Sequence, residues 1–184
     1  MTSQSFGSRG KGSVAEREIA KMLTEWWHPL EPAAVFVKTP LSGGWGKPTV
    51  RAGFRASGDL MTDAKHFPFV VEVKRREGWS WKPFLAGRAS PIWSWWQQAQ
   101  TAAAEMKGEP LLIWRKNREA WWVMIRDGYA CERRLHTVGV DVRWGNALRA
   151  LNIGEHPRAM PATEFFAFAP SRFVGTVAPR RKVP

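Results

Sequence analysis

Residues 57–74 read SGDLMTDAKHFPFVVEVK, and the fold class follows from how this stretch alternates. Residues 58–61 form one short strand, and Asp63, Ala64, Lys65 and His66 supply a turn. Residues 69–74 return as a β-branched and aromatic run bounded by Pro68. Together they predict a β-hairpin. Successive side chains on a strand point to opposite faces. Phe69, Val71 and Val73 therefore face one way, and Val70, Glu72 and Lys74 the other. A carboxylate and an ammonium then stand side by side on an otherwise apolar strand, where each is costly to bury unless paired or used. Asp59 on the first strand and Glu72 on the second can converge on one point. Two converging carboxylates make an oxygen site for a hard cation such as Mg²⁺, which keeps some waters and is completed by phosphate. Lys74 can orient a water there or stabilise charge developing on a phosphoryl oxygen. The plainer alternative, a Glu72–Lys74 salt bridge along one strand face, stays open on this stretch alone.

The whole-chain charge points the same way. Lys and Arg total 28 against 16 acidic residues, a net +12 over 184 residues. Such a field attracts phosphates and makes a nucleic acid the leading partner class, ahead of a basic protein that merely stays soluble. The length suits one domain with a real core and an extension. No run of about 18 apolar residues exists, so no membrane partner is expected, and the polar N-terminus lacks the apolar core of a signal peptide. Cys131 is alone, which excludes an intrachain disulfide, and four scattered histidines with one cysteine make no structural zinc site. A reducing cytoplasm fits. Twelve tryptophans are unusual at this length. They can stack on unpaired bases, but filling cores and interfaces is the commoner use.

Around the central stretch, residues 1–11 read as a disordered basic lead. Ser13 is a good helix N-cap and Glu16 three residues later completes a capping box. The helix runs to about Trp27, with Ala15, Ile19, Met22, Leu23 and Trp26 as its buried stripe. Residues 34–38 suggest a strand leading into a Gly/Ser turn at residues 39–44. Lys47, Arg51 and Arg55 form a phosphate-contacting set, extended by Arg75 and Arg76. Residues 79–89 read as an irregular connection. Ser90 caps a helix with Pro91 at its first position, ending at Lys107 with Gly108 just beyond. Strands follow at residues 111–115 and 121–125. Residues 163–168 suit a further strand or an interface segment, and Arg180, Arg181 and Lys182 form a basic tail. Trp93, Trp95 and Trp96 crowd one helix start, more than one face is expected to absorb, which makes them candidates for a subunit interface.

The pattern Asp59, twelve intervening residues, then Glu72-Val73-Lys74 resembles the metal site of the PD-(D/E)xK nuclease superfamily, with Gly58 in place of the proline that names it. The run KGSVAER at residues 11–17 is similar to the opening helix of archaeal-type Holliday junction resolvases, in which a lysine/glycine/serine lead-in precedes an essential glutamate. That resemblance implies an α/β protein with a restriction-endonuclease-like core, a mixed central β-sheet flanked by helices, over residues 12–126. Residues 127–184 are then an extension of unassigned role. It implies Glu16, Asp59, Glu72 and Val73 as metal-binding positions and Lys74 as the catalytic lysine. It also implies Ser42, from the Ser-Gly pair of a loop, and Gln98, from a glutamine-bearing helix, as assisting residues. Lys11, Arg17, Lys47, Arg51, Arg55, Arg75 and Arg76 would contact DNA. The implied cofactor is Mg²⁺, with Mn²⁺ able to substitute. The implied partner is a four-way DNA junction bound by a homodimer, in a prokaryotic or phage-infected cytoplasm. Two alternatives remain at this point: another nuclease of the superfamily, of restriction or repair type, and a basic DNA-binding module without catalysis. The intact carboxylate set argues against the second, since negative charge facing phosphate serves no pure binder.

Overall fold

A computed structural model describes residues 7–40, 53–132 and 157–174. Its centre is a four-stranded sheet in the order β4 (Phe69–Arg75), β5 (Glu109–Arg115), β6 (Trp122–Arg126), β7 (Pro157–Pro161). β4 and β5 are parallel; the other two pairings are antiparallel. A parallel pair needs a long crossover, and here it carries α2 (Trp81–Leu85) and α3 (Pro91–Glu105). A second sheet, wholly antiparallel, holds β1 (Phe36–Lys38), β3 (Leu60–Thr62) and β2 (Arg55–Ser57) in that order. With α1 (Gly7–Trp27) on one face of the mixed sheet and α3 on the other, the protein is α/β with a core of the restriction-endonuclease type. Among the described residues no helix is long and apolar enough to cross a membrane.

The two faces of β4 divide as its alternation requires. Phe69, Val71 and Val73 enter one core cluster with Ile19, Leu23 and Trp27 of α1. Glu72 and Lys74 stand in register with Leu112 and Trp114, which belong to a second cluster beneath α3. The buried stripe of α1 includes Ala15, Ile19, Leu23 and Trp26, with Met22 partly buried against it.

Several expectations change. The hairpin is not residues 58–74. β3 pairs with β1 and β2, and a single parallel bridge, Gly58 to Val71, joins this segment to β4. The hairpin is instead β2–β3, with Ser57 opposite Leu60 and Gly58-Asp59 as its two-residue turn. Gly58 has φ +76, while Asp59 is not among the positive-φ residues. That is the type II′ pattern, with glycine first, which matches the twist of paired strands. α1 starts at Gly7, so Ser13 lies inside the helix and no capping box forms. Once the turn around Ala15 and Ile19 is packed, each upstream residue adds a hydrogen bond at little cost, and the helix extends through a lead read as disordered.

α3 begins as expected, with Ser90 Oγ accepting from the Ile92 N–H at 3.4 Å and Pro91 next. At its end Lys107, not Gly108, takes the left-handed position, with φ +54. The Gly108 N–H donates to the Ala103 carbonyl, as in a Schellman ending. Gly108 is needed one residue later because a Cβ there would lie 2.8 Å from Val70 Cγ2. The connection read as irregular contains α2. Trp93 and Trp96 are buried in the cluster under α3, and Trp95 packs against it. Partners from α2, β5 and β6 absorb the crowding, so Trp93 and Trp96 are core. Residues 162–167 are a short helix, not a strand, and Phe165 is fully buried against Trp26 and Phe69. Residues 157–174 thus complete the sheet and the α1-side core.

Candidate active site

The site forms along the outer edge of β4, which no strand of the described residues extends. In a strand, alternate residues turn their N–H and C=O groups toward the same edge. The Arg76 N–H donates to the Arg115 carbonyl, so the even-numbered positions of β4 face β5. The odd-numbered ones face outward. Accordingly the Val71 carbonyl accepts from the Asp59 N–H at 2.8 Å, and the Val73 N–H donates to Asp59 Oδ2 at 2.8 Å. The Ser57 hydroxyl donates to the Phe69 carbonyl. The II′ turn is thereby laced to the strand edge on both sides of Asp59. By the same alternation the Val73 carbonyl points out of the same edge.

Gly58 is what permits this approach. A Cβ at Gly58 would lie 2.2 Å from the Val71 carbonyl oxygen. Its φ of +76 is also closed to proline, whose ring holds φ near about −65°. The departure from the superfamily's proline therefore has a backbone cause in the tight turn that presents Asp59.

Glu72 is buried and pairs with Lys74 Nζ on the other face of the strand. From the α1 side, Glu16 Oε2 lies 3.1 Å from Lys38 Nζ. The residue after Lys38 closes the ring: the Thr39 N–H donates to the Asp59 carbonyl at 3.0 Å, and its hydroxyl donates to the Gly58 carbonyl at 3.1 Å. The end of β1 thus holds Glu16 by a side chain and the Asp59 turn by its backbone. Burial, and next the neighbouring Glu72 carboxylate, push the Asp59 carboxyl up to about 7. The Val73 N–H and Lys74 pull it down, and Glu16 adds a smaller upward push. Two other carboxylates, Glu72 and Glu16, therefore act on Asp59 at this edge. Among the described residues, however, no three lie close enough to hold one ion together. Asp59 and Glu72 are the near pair, and Glu16 stands off in its own ion pair.

Residues 7–142 match the model of a family described as "Phage putative PDDEXK endonuclease". The chain belongs to this family. It is a nuclease of the PD-(D/E)xK superfamily, and Asp59, Glu72 and Lys74 all lie within the matched residues. No curated protein and no solved structure gives a significant match.

Nucleases of this superfamily generally use Mg²⁺, and the donor set fits such an ion. All its atoms are hard oxygens: the Asp59 and Glu72 carboxylates and the edge-facing Val73 carbonyl. Burial and the Glu72 charge, which raise Asp59, would be offset by a cation held by these carboxylates.

The other expected residues are placed unevenly. Ser42, Lys47 and Arg51 lie outside the described residues, as does the side chain of Lys11. Arg17 is exposed on α1 and Arg76 at the end of β4. Arg75 donates through Nε to Asn117 Oδ1 at 2.8 Å. Arg55 turns its guanidinium onto the Ala64 and Phe67 carbonyls, an occupation that ties the hairpin to the segment before β4. Gln98 is exposed on α3, on the Glu72 side of the sheet, and takes part in none of the ion pairs above. Sequence reasoning passed over Lys38 and Thr39. The signal was a lysine closing the apolar run Val35-Phe36-Val37 immediately before the Gly/Ser turn, an expensive place for an ammonium without a partner.

Proposed function

We propose that this nuclease resolves four-way DNA junctions by paired nicking, with Mg²⁺ or Mn²⁺ held by Asp59, Glu72 and the Val73 carbonyl. The observation that carries the reading is Glu16. The KGSVAER helix brings it, held by Lys38, close enough to add to the field on Asp59; the resolvase resemblance assigns that glutamate a place among the metal ligands. When bound, the cation supplies Lewis-acid polarisation and neutralises charge on the scissile phosphate. Lys74 presents an ammonium to the attacking water or to the phosphoryl oxygens as they gain charge. In-line attack joins the water oxygen to phosphorus and breaks one phosphodiester P–O bond; the water's proton leaves to solvent, and the departing sugar oxygen takes a proton from solvent to leave as a hydroxyl. Ser42 and Gln98 assist from the flanking loop and helix. Lys11, Arg17, Lys47, Arg51, Arg75 and Arg76, with Arg55 nearby, hold the backbone of the arms.

A junction is two-fold symmetric and needs nicks on two strands of like polarity, while one chain carries one Asp59/Glu72/Lys74 set. A two-fold homodimer meets that demand. The test compares a four-way junction, a duplex of the same sequence and single-stranded DNA, each with Mg²⁺ or EDTA. Symmetric paired nicks in the junction with Mg²⁺ alone are expected, and sedimentation should give about twice the 20.9 kDa of one chain. Equal cutting of duplex and junction would refute junction selectivity and leave a nuclease of restriction or repair type.

A further inference from the structure

The turn between β5 and β6, residues 116–119, has no part in the site described above, yet it is built with unusual care. The Glu119 N–H reaches back to the Lys116 carbonyl at 3.4 Å, and Arg118 sits in the turn with φ +63. Glycine or asparagine ordinarily fills such a position, because a larger side chain is strained there. Here it is an exposed arginine that makes no ion pair among the described residues. The turn is also fastened. Asn117 Oδ1 accepts from Arg75 Nε at 2.8 Å, and its N–H donates to Glu77 Oε1 at 2.7 Å. Lys116 Nζ lies 4.9 Å from the centre of the Trp79 ring, at a distance suited to a cation–π contact. These ties hold the turn that carries Arg118 against the end of β4, where Arg75 and Arg76 follow Lys74. Acidic groups on this tip are Glu77, engaged with the Asn117 N–H, and Glu119, 3.8 Å from Lys116. Arg76 and Arg118 remain as outward cations.

We infer that this turn, with Arg118 at its apex and Arg76 beside it, seats the sugar–phosphate backbone of a duplex DNA arm flanking the cleaved phosphodiester. Strain spent on placing a charge is a pointer to function. Two outward cations at the end of the strand that carries Lys74 match a polymer that carries regularly spaced phosphates past the site. The inference rests on the protein acting on DNA.

The test measures binding of the full chain to a junction and to a duplex, without divalent metal, by fluorescence anisotropy across a salt series. One phosphate contact changes the log–log salt slope by about 0.9, equivalent to roughly fivefold in affinity near 0.15 M salt. R118G is expected to lower affinity by about that factor and to flatten the slope by about 0.9, while its melting temperature stays level or rises because the strained position is relieved. R76Q combined with R118G should roughly double both effects on a logarithmic scale. K21Q removes a charge from an exposed i,i+4 pair on α1 and should change neither. Wild-type affinity and slope in R118G and in the double variant would overturn the inference while leaving the nuclease reading intact. Equal losses for DNA and polyglutamate would overturn it too, by making the tip a general anion surface. A wild-type chain that binds no DNA would defeat both readings.

Discussion

Restoring the superfamily's usual signature at residue 58 should damage this protein. Gly58 has φ +76, and a Cβ built there meets the Val71 carbonyl oxygen at 2.2 Å, the carbonyl carbon at 2.9 Å and the nitrogen at 3.0 Å. In Gly58→Ala, holding a non-glycine residue in this region costs about 1–2 kcal/mol. The clash must push the turn off the edge of β4 by roughly 1 Å, since carbon atoms pack at about 3.5–4 Å. That sacrifices the 2.8 Å bond from the Asp59 N–H to the Val71 carbonyl, worth about 1 kcal/mol net. The total is about 2–3 kcal/mol, or roughly 4–12 °C in melting temperature for a chain of this size. Cleavage should fall further than stability, because a displacement of about 1 Å at a reacting group can cost around a hundredfold. Gly58→Pro should be worse, since the ring holds φ about 140° from the observed value. Circular-dichroism melts and a nicking assay below the melting temperature separate the two effects. A proline variant with wild-type melting and cleavage would refute the II′ turn as the device that presents Asp59.

Three other outcomes follow from the same edge. Glu72→Gln should lower nicking by at least about a hundredfold while metal-free junction affinity holds, because it removes a ligand charge and no basic residue; full activity would take Glu72 out of the site. Mg²⁺ at about a hundred times its Kd should raise the wild-type melting temperature by roughly 5–11 °C, from about 2.7 kcal/mol of linkage, and should leave Glu72→Gln nearly unmoved. The Asp59 carboxyl titrates near 7 in the folded chain against 3.8 in the unfolded one. Between those values the folded state therefore binds more protons, and metal-free stability should fall as pH rises from about 4 to about 7 and then level off. Urea titrations of Asp59→Asn should lose that slope, and an unchanged slope would assign the effect elsewhere.

What could be read in advance divides along a physical line. The faces of β4 were legible because alternation is local: Val71 and Val73 must oppose Glu72 and Lys74 whatever the strand pairs with. The start of α3 was legible for the same reason, since Ser90 and Pro91 act on their own backbone. Pairing is not local. Gly58-Asp59 can begin a strand or make a two-residue turn, and the choice depends on β1, which takes β3 as its partner and leaves the outer edge of β4 unextended by any strand of the described residues. The same choice decides the chemistry. As part of a regular antiparallel hairpin, residues 58–61 would have occupied the outward N–H and C=O groups of β4, including the Val73 carbonyl. As a turn touching β4 through one bridge, they leave that edge open beyond Asp59 and bring a carboxylate to it. Glu16 follows the same logic. Read as a cap it would have been spent on its own helix, but the helix starts at Gly7 and leaves it to Lys38. Lys38 in turn owes its position to β1 pairing, in sequence, across the β2–β3 turn. The site is therefore assembled by the small antiparallel sheet against the edge of the large one, and local sequence patterns reported only the half of it that lies on β4.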